Sequence, residues 1–113
     1  MRQGEIFWIH LPYSDLAREK HRPVLIVSND NYNKQSEDVV ACSVTSNLKE
    51  RPYALYLDEK SFDEGSLPLK SKVRCDKIFS VEKTLFVKKM ARLSQKTFRQ
   101  VSEQITRLVS QEK

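Results

Sequence analysis

Short apolar segments recur along the first 93 residues of this chain, and no uninterrupted apolar run is longer than a few residues. Branched and aromatic side chains dominate these segments, and turn-forming residues separate them, which is typical of short β-strands. The predicted strands are Glu5–Leu11, Arg22–Ser28, Asp38–Thr45, Tyr53–Asp58, Lys72–Ser80 as one or two strands, and Phe86–Leu93. The intervening segments Tyr13–His21, Asn29–Asp38 and Glu59–Leu69 are predicted to be loops or turns.

Two of these strands carry a further prediction. Four apolar residues follow one another from Val24 to Val27, which indicates a central strand that is buried on both faces. The alternation of Lys72–Ser80 breaks near Ile78, which predicts a bulge or a bend there.

The C-terminal segment has a helical pattern instead. Phe98, Val101, Ile105 and Leu108 recur at spacings of three and four residues, so they form one face of a helix, and Ser94 is its predicted N-cap. A single helix on a small curled antiparallel sheet is the simplest packing that buries these faces. The prediction is a mainly β (α+β) chain that forms one domain over residues 1–113. Periodicity alone does not distinguish a barrel from a sandwich.

Composition excludes several classes of protein. An apolar run of roughly 20 residues, which a membrane span needs, is absent from the sequence. The N-terminus also lacks the basic start and apolar stretch of a signal peptide, so we expect a soluble, cytoplasmic protein. Cys42 and Cys75 lie within predicted strands and are expected to be buried, free thiols. Their separation fits neither a disulfide framework nor a zinc site, and we expect no metal or other cofactor.

Charge is unevenly distributed in this chain of net charge +5. The segment from Ser66 to Arg99 holds ten lysines and arginines against two acids, whereas Glu50–Glu64 holds five acids against two bases. A basic segment of this kind favours binding to a polyanion such as nucleic acid, on a molecule with two differently charged faces. The alternative is that the lysines simply solvate the surface, which alone accounts for many such runs.

Three short polar motifs accompany the strands: His21-Arg22-Pro23, Val44-Thr45-Ser46, and Lys72-Val73-Arg74-Cys75-Asp76. Arginine is permanently charged and presents a planar fork of donors that suits phosphate, so its placement at strand ends suggests an anion site. Residues two apart on a strand share a face, which puts Arg74 and Asp76 together and turns Val73 and Cys75 toward the core. Taken alone, an arginine beside an aspartate is more often a structural ion pair than a catalytic pair, and it is the company of Arg22 and Thr45 that favours catalysis.

The order and spacing of these motifs resemble the MazF/PemK (Kid) family of toxin endoribonucleases over nearly the whole chain. Further matching stretches are Gly4–Ile9, Ser28-Asn29-Asp30 with Tyr32-Asn33, and Arg92-Leu93-Ser94. The resemblance implies an SH3-like antiparallel barrel with a C-terminal α-helix, which works as a homodimer. It also implies a type II toxin that cleaves single-stranded RNA sequence-specifically without a metal, leaving 2′,3′-cyclic phosphate and 5′-hydroxyl ends. A cognate antitoxin would inhibit it, and the complex would bind DNA indirectly through the antitoxin.

The same resemblance assigns roles to residues. Catalysis would fall on Arg22, Thr45, Arg74 and Asp76. Arg22 would stabilise charge, Thr45 would hold the phosphate, and Asp76 and Arg74 would act as base and as acid or stabiliser. RNA contacts would involve His21, Ser46, Lys72 and Lys77.

Two departures from the family leave the RNA target open. They are the first loop, Asp15 to Lys20, and Lys77, where the family commonly has glutamine. The alternative is a non-catalytic interaction module on the same fold, which binds nucleic acid or protein; the presence of all four catalytic candidates favours the enzyme.

Overall fold

The computed structural model describes residues 1–11 and 20–112. Its strands are β1 (Glu5–Leu11), β2 (Lys20–Ile26), β3 (Asp38–Thr45), β4 (Ala54–Leu57), β5 (Phe62–Gly65), β6 (Ser71–Glu82) and β7 (Phe86–Leu93), and its helices are α1 (Asp30–Gln35) and α2 (Gln95–Val109). Short 3-10 turns span Glu59–Ser61 and Lys83–Leu85. Within the described residues, no helix has the length and apolar character needed to cross a membrane.

The seven strands form one antiparallel sheet in the order β4-β6-β3-β2-β1-β7-β5. This arrangement, with a helix at the C-terminus, confirms the mainly β fold predicted from the sequence. Val24, Leu25 and Ile26 of β2 are each at most 1% exposed. Their burial confirms that β2 is a central strand covered on both faces.

Each face of the sheet has its own apolar cluster. Helix α2 packs against the larger cluster, where Val101 joins core residues such as Leu25 and Val73. The opposite face holds a smaller cluster of Ile9, Val24, Ala41 and Val81. Strand β2 contributes to both clusters, with Leu25 in the larger and Val24 in the smaller.

Two cysteines contribute to the larger cluster as the sequence predicted. Cys42 and Cys75 are buried, free thiols. Burial raises the pKa of Cys42 to about 12 and that of Cys75 to about 11. Both therefore remain protonated at neutral pH and behave as small apolar side chains.

Helix α2 begins directly after Ser94, the N-cap that the sequence predicted. The Ser94 hydroxyl accepts a hydrogen bond from the Thr97 backbone N–H at 3.2 Å, which caps the first turn. Val101 is fully buried, and Phe98 and Ile105 pack against the same core. The predicted cap is thus confirmed, and so is the helical face at Phe98, Val101 and Ile105.

Three predicted loops contain more regular structure than the sequence indicated. Asn29–Asp38 was expected to be a turn, but it contains α1, because the Asn29 side chain accepts the Tyr32 N–H and caps a short helix. Glu59–Leu69 contains a 3-10 turn and β5, which gains its partner from β7. Strand β2 begins at Lys20 rather than Arg22, so the predicted loop Tyr13–His21 is wrong at that end, and residues 13–19 lie outside the described residues.

The remaining differences concern strand ends and one bulge. The predicted strand Tyr53–Asp58 is shorter, whereas Lys72–Ser80 lies within one longer strand, β6. Cys42 pairs with Ile78, and the next residue, Ser43, pairs with Arg74. One step along β3 therefore spans four residues of β6, which confirms the bulge and displaces Asp76 from regular pairing.

Candidate active site

The ends of four adjacent strands align a row of polar residues. Thr45 of β3 pairs with Lys72 of β6, which pairs on its other side with Tyr56 of β4. The β2–β3 register pairs Val24 with Ser43, and its extension by two residues puts Arg22 opposite Thr45. Arg22, Thr45, Lys72 and Tyr56 therefore share one face of the sheet, which we call the arginine face.

Arg74 lies on the arginine face in the adjacent row, where it pairs with Ser43 and with Ala54. Neighbouring strands are about 4.8 Å apart and alternate residues about 6.7 Å apart, so the backbones of Arg22 and Arg74 are separated by about 12 Å. That separation is within the combined reach of two arginine side chains. Both guanidinium groups can therefore approach one bound phosphate.

A cavity of about 320 Å³ lies at the ends of β2 and β3. Four of the predicted site residues line it: His21, Arg22, Thr45 and Ser46. Among the described residues that line it, His21 is the one histidine and none is a carboxylate. His21 and Arg22 are exposed, so a large ligand in solution can reach both.

The Thr45 hydroxyl is oriented by the chain that follows β3. Its Oγ1 accepts a hydrogen bond from the Asn47 N–H at 3.1 Å. The Asn47 side-chain oxygen in turn accepts the Lys49 N–H at 3.0 Å. Because this arrangement uses the oxygen of Thr45 as acceptor, its hydroxyl proton remains free to be donated to an anion.

Arg74 and Asp76 form a bidentate ion pair. Arg74 Nε donates to Asp76 Oδ1 at 2.9 Å, and Nη2 donates to Oδ2 at 2.8 Å. These hydrogen bonds from Arg74 lower the pKa of Asp76 and raise that of Arg74. Asp76 is consequently a weak proton acceptor at neutral pH, because general bases work best when their pKa lies near the working pH.

The geometry also confirms the predicted orientation of this motif. Val73 and Cys75 are fully buried in the core, whereas Arg74 and Asp76 pair on the other side of β6. The Cys75 N–H donates to the carbonyl of Tyr53, whose φ of 62° is a left-handed conformation. The bulge and this contact together fix where Arg74 leaves the sheet.

The two lysines predicted to bind RNA differ in accessibility. Lys72 is only 8% exposed, and its Nζ donates to the Lys49 carbonyl at 3.4 Å. Its position suits support of the segment after β3 rather than direct contact with a ligand. Lys77 is exposed within the bulge, beside Asp76.

The two charged segments adjoin at one edge of the sheet instead of occupying separate faces. Lys89 lies 2.8 Å from Glu5 and 3.0 Å from Glu64, and Arg92 lies 3.6 Å from Glu64. Pairing of β5 with β7 produces the contacts with Glu64, and pairing of β1 with β7 produces the contact with Glu5. The predicted division into two differently charged faces is therefore wrong at this edge, where acids neutralise part of the basic segment.

Sequence reasoning missed two aromatic residues near the site. Tyr56 is 44% exposed on the arginine face, and Trp8 lines the cavity. The alternation of β4 contained a signal for Tyr56, because it faces away from Leu55 and Leu57. No pattern within β1 indicates that Trp8 lies at the cavity, because that position depends on the pairing of β1 with β2.

Known proteins resemble this chain in sequence and in fold. A protein named Endoribonuclease MazF from Staphylococcus saprophyticus is 27% identical over 107 residues, which is 93% of this chain and 88% of the relative. A MazE–MazF crystal structure from Deinococcus radiodurans superimposes with a TM-score of 0.82 at 20% identity, covering 99% of this chain and 98% of that one. A mycobacterial endoribonuclease in complex with its cognate antitoxin gives 0.78 at 21% identity, covering 99% of each chain.

A family model spans nearly the entire sequence. The model is described as "PemK-like, MazF-like toxin of type II toxin-antitoxin system", and it matches residues 2–109. The match includes the three polar motifs and the whole of helix α2, and it ends with that helix at Val109. This chain belongs to the PemK-like, MazF-like toxin family of type II toxin–antitoxin systems.

Proposed function

We propose that this protein is an endoribonuclease toxin that cleaves single-stranded RNA at specific sequences without a metal ion. The observation that carries the proposal is the alignment of Arg22, Thr45 and Arg74 on the arginine face, beside an exposed cavity whose lining also includes His21. Cations and hydroxyl donors in this arrangement suit a phosphodiester. Membership of the toxin family supports the same reaction.

The RNA 2′-hydroxyl would lose its proton to a base and attack the adjacent phosphorus, and the bond to the 5′-oxygen would break as that oxygen takes up a proton. The products are a 2′,3′-cyclic phosphate and a 5′-hydroxyl, and DNA is excluded because it lacks the attacking group. Arg22 would stabilise the charge that develops on the phosphate oxygens, and the Thr45 hydroxyl would donate to one of them. Arg74 would add a second, fixed positive charge.

Proton transfer falls to His21 in this proposal. Histidine is the side chain that most often transfers protons at neutral pH, and His21 lines the cavity beside Arg22. Asp76 is a poorer base because its hydrogen bonds with Arg74 lower its pKa. We therefore assign Asp76 to the positioning of Arg74.

The surface around the cavity would bind the flanking nucleotides. Tyr56 is exposed on the arginine face and can stack on a base, while Trp8 offers a second aromatic surface. Ser46 lines the cavity and Lys77 is exposed near Arg74, so both are placed to contact RNA. Lys72 would act indirectly, by supporting the segment after β3.

In its cellular context we propose a cytoplasmic toxin that a cognate antitoxin inhibits. A net charge of +5 suits an acidic antitoxin segment. The solved relatives include a MazE–MazF complex and an endoribonuclease bound to its cognate antitoxin, which supports this kind of partner. We further propose a homodimer that binds DNA indirectly, through the antitoxin.

The direct test is cleavage of a long single-stranded RNA by antitoxin-free protein in EDTA, with mapping of the ends. We expect discrete cuts that bear 5′-hydroxyls. Arg22→Ala and Thr45→Ala should slow their formation by about 10²–10³-fold, whereas Arg99→Ala should not, because Arg99 is an exposed arginine on α2. Intact RNA with folded wild-type protein would overturn the proposal and favour a non-catalytic interaction module.

A further inference from the structure

The segment directly after β3 turns back on the Thr45 side chain, and the Asn47 side chain closes this turn. The Lys49 N–H donates to Asn47 Oδ1 at 3.0 Å, which is the local turn that an asparagine side chain forms with the backbone two residues on. The Asn47 N–H donates to Thr45 Oγ1 at 3.1 Å. One residue therefore supplies both the acceptor that closes the turn and the donor that meets the Thr45 hydroxyl.

The far end of this turn is tied to β6. Lys72 Nζ donates to the Lys49 carbonyl at 3.4 Å, and this lysine is only 8% exposed. Lys72 pairs with Thr45 in the sheet register, and it shares a face with Arg74, two residues on. The turn thus connects the hydroxyl of Thr45 to the strand that carries Arg74.

Packing contributes little to the shape of this turn. Residues 46–50 are all exposed, and they lie outside the helices and strands. Leu48, the one apolar side chain among them, is 41% exposed and belongs to neither apolar cluster. The conformation of the turn therefore depends on its hydrogen bonds, of which the Asn47 side chain makes the central one.

We infer that the Asn47 side chain is a positioning residue for RNA cleavage. By closing the turn, it holds the Asn47 N–H on Thr45 Oγ1. A hydroxyl can donate and accept, and this contact occupies the oxygen as an acceptor, so that the hydroxyl meets the phosphate as a donor. Asn47 then acts through Thr45 without touching the RNA. The inference rests on the proposed endoribonuclease function and extends it to a residue outside the three polar motifs.

The turn itself is tested first, without RNA, by amide hydrogen exchange measured by NMR on wild type and Asn47→Ala. Exchange of the Lys49 N–H should be at least about twofold faster in the variant, because its acceptor is removed. Exchange in the central strand β2 should be unchanged, which shows that the variant is folded. Equal exchange of the Lys49 N–H in both proteins would overturn the inference.

Cleavage is then measured under single-turnover conditions at saturating RNA. Asn47→Ala should slow it by at least about tenfold, since a small misplacement of a reacting group can cost about 10²-fold. RNA affinity should change by less than about threefold, because Asn47 makes no contact that binding uses. Asn31→Ala is the matched control: Asn31 is an exposed asparagine on α1, it does not line the cavity, and its loss should leave the rate unchanged.

Two replacements separate positioning from direct contact with RNA. Asn47→Ser can form the same kind of turn more weakly, so it should cleave at least about threefold faster than Asn47→Ala. Asn47→Gln keeps the amide group but is one methylene too long for this turn, so it should be as slow as Asn47→Ala. Recovery in Asn47→Gln and not in Asn47→Ser would overturn the inference and identify the amide as a direct RNA ligand.

A double-mutant cycle with Thr45→Val tests whether Asn47 acts through the hydroxyl. Valine keeps the shape of threonine and lacks the oxygen that the Asn47 N–H meets. Asn47→Ala should therefore slow the Thr45→Val protein by less than about twofold. A further loss as large as in wild type would show that Asn47 acts independently of Thr45, which would overturn the inference.

Failure of this inference and failure of the proposed function give different results. Intact RNA with folded wild-type protein would contradict the proposed function, and the exchange of the Lys49 N–H would still test the turn. Full cleavage by Asn47→Ala, beside active wild type, would contradict the positioning role alone.

Discussion

The two arginines of the arginine face are held in opposite ways. Arg22 is exposed at the start of β2, and it has no ion pair with any carboxylate among the described residues. The side chain of Arg74 is only 13% exposed and is fixed by two hydrogen bonds to Asp76. No carboxylate in residues 1–11 or 20–112 takes up the donors of Arg22, whereas the Arg74 guanidinium is already ordered by its two hydrogen bonds to Asp76.

This difference predicts that the two arginines have different roles in catalysis. An arginine without a carboxylate partner brings a full, uncompensated charge to the phosphate, so it can contribute more where charge develops. A pre-ordered arginine loses less conformational entropy on binding, and it serves better as a fixed contact. We expect Arg22 to dominate transition-state stabilisation and Arg74 to dominate positioning of the RNA.

Arg22→Ala should have the largest effect. We expect the cleavage rate to fall by about 10²–10³-fold, which is the usual loss when one oxyanion-stabilising donor is removed. The free energy of unfolding should change by less than about 0.5 kcal/mol, because the side chain is exposed. Single-turnover kinetics and urea denaturation measure the two quantities, and a loss below threefold would refute the assignment.

Arg74→Ala should cost about 10- to 100-fold in cleavage, with more of the loss in RNA affinity than for Arg22→Ala. The change also leaves Asp76 as an uncompensated negative charge near the phosphate. The double variant Arg74→Ala/Asp76→Asn should therefore recover part of the affinity. RNA-binding titrations test this, and weaker binding by the double variant than by Arg74→Ala would contradict it.

Tyr56→Ala should weaken RNA binding by about 1–3 kcal/mol, the usual contribution of one stacked base. Tyr56→Phe is the matched control, since it retains the ring and should bind nearly as well as wild type. Fluorescence anisotropy with a non-cleavable RNA analogue measures both affinities. If Tyr56→Phe binds as weakly as Tyr56→Ala, the hydroxyl matters and stacking does not explain the contact.

Asp76→Asn should have the smallest effect, a loss of only a few-fold in cleavage, because Asn can still accept one hydrogen bond from Arg74. The acid limb of the pH–rate profile should remain where it is in wild type. Loss of about 10²–10⁴-fold together with that limb would instead identify Asp76 as the general base.

The same variant should change the pH dependence of stability slightly. Hydrogen bonds from Arg74 lower the pKa of Asp76 in the folded protein. The stability that this pair contributes is therefore present above the ordinary carboxyl pKa of about 3.9 and is lost as the pH falls through the lower folded value. For a partly exposed pair we expect about 0.2–1 kcal/mol, measured as the difference between urea denaturation at pH 7 and at pH 2 in wild type and Asp76→Asn.

The bounds of β1, β3 and β7 agree with the sequence predictions. Branched and aromatic residues are dense in β1 and β3, whereas β7 carries lysines and an arginine among its apolar residues. The sequence did not reveal α1 or β5. Six residues are too few for a helical period to emerge, and α1 depends on its Asn29 cap. The acidic strand β5 exists because β7 supplies its hydrogen bonds, and such a partner cannot be identified from local sequence.

The candidate site was predictable where it depends on one strand. The shared face of Arg74 and Asp76 follows from the alternation of residues along β6. Burial of Lys72 was not predictable, since it depends on a carbonyl from the segment after β3. The alignment of Arg22 with Thr45 depends on the register between strands, which only the folded structure reveals.

A double-mutant cycle between Arg22 and Arg74 tests the central claim most directly. Single-turnover cleavage by wild type, Arg22→Ala, Arg74→Ala and the double variant gives the coupling between the two side chains. If both arginines act on one phosphate, the loss in the double variant should be at least about tenfold smaller than the product of the single losses. Losses that multiply fully would show that the two arginines act independently, and would contradict a single site on the arginine face.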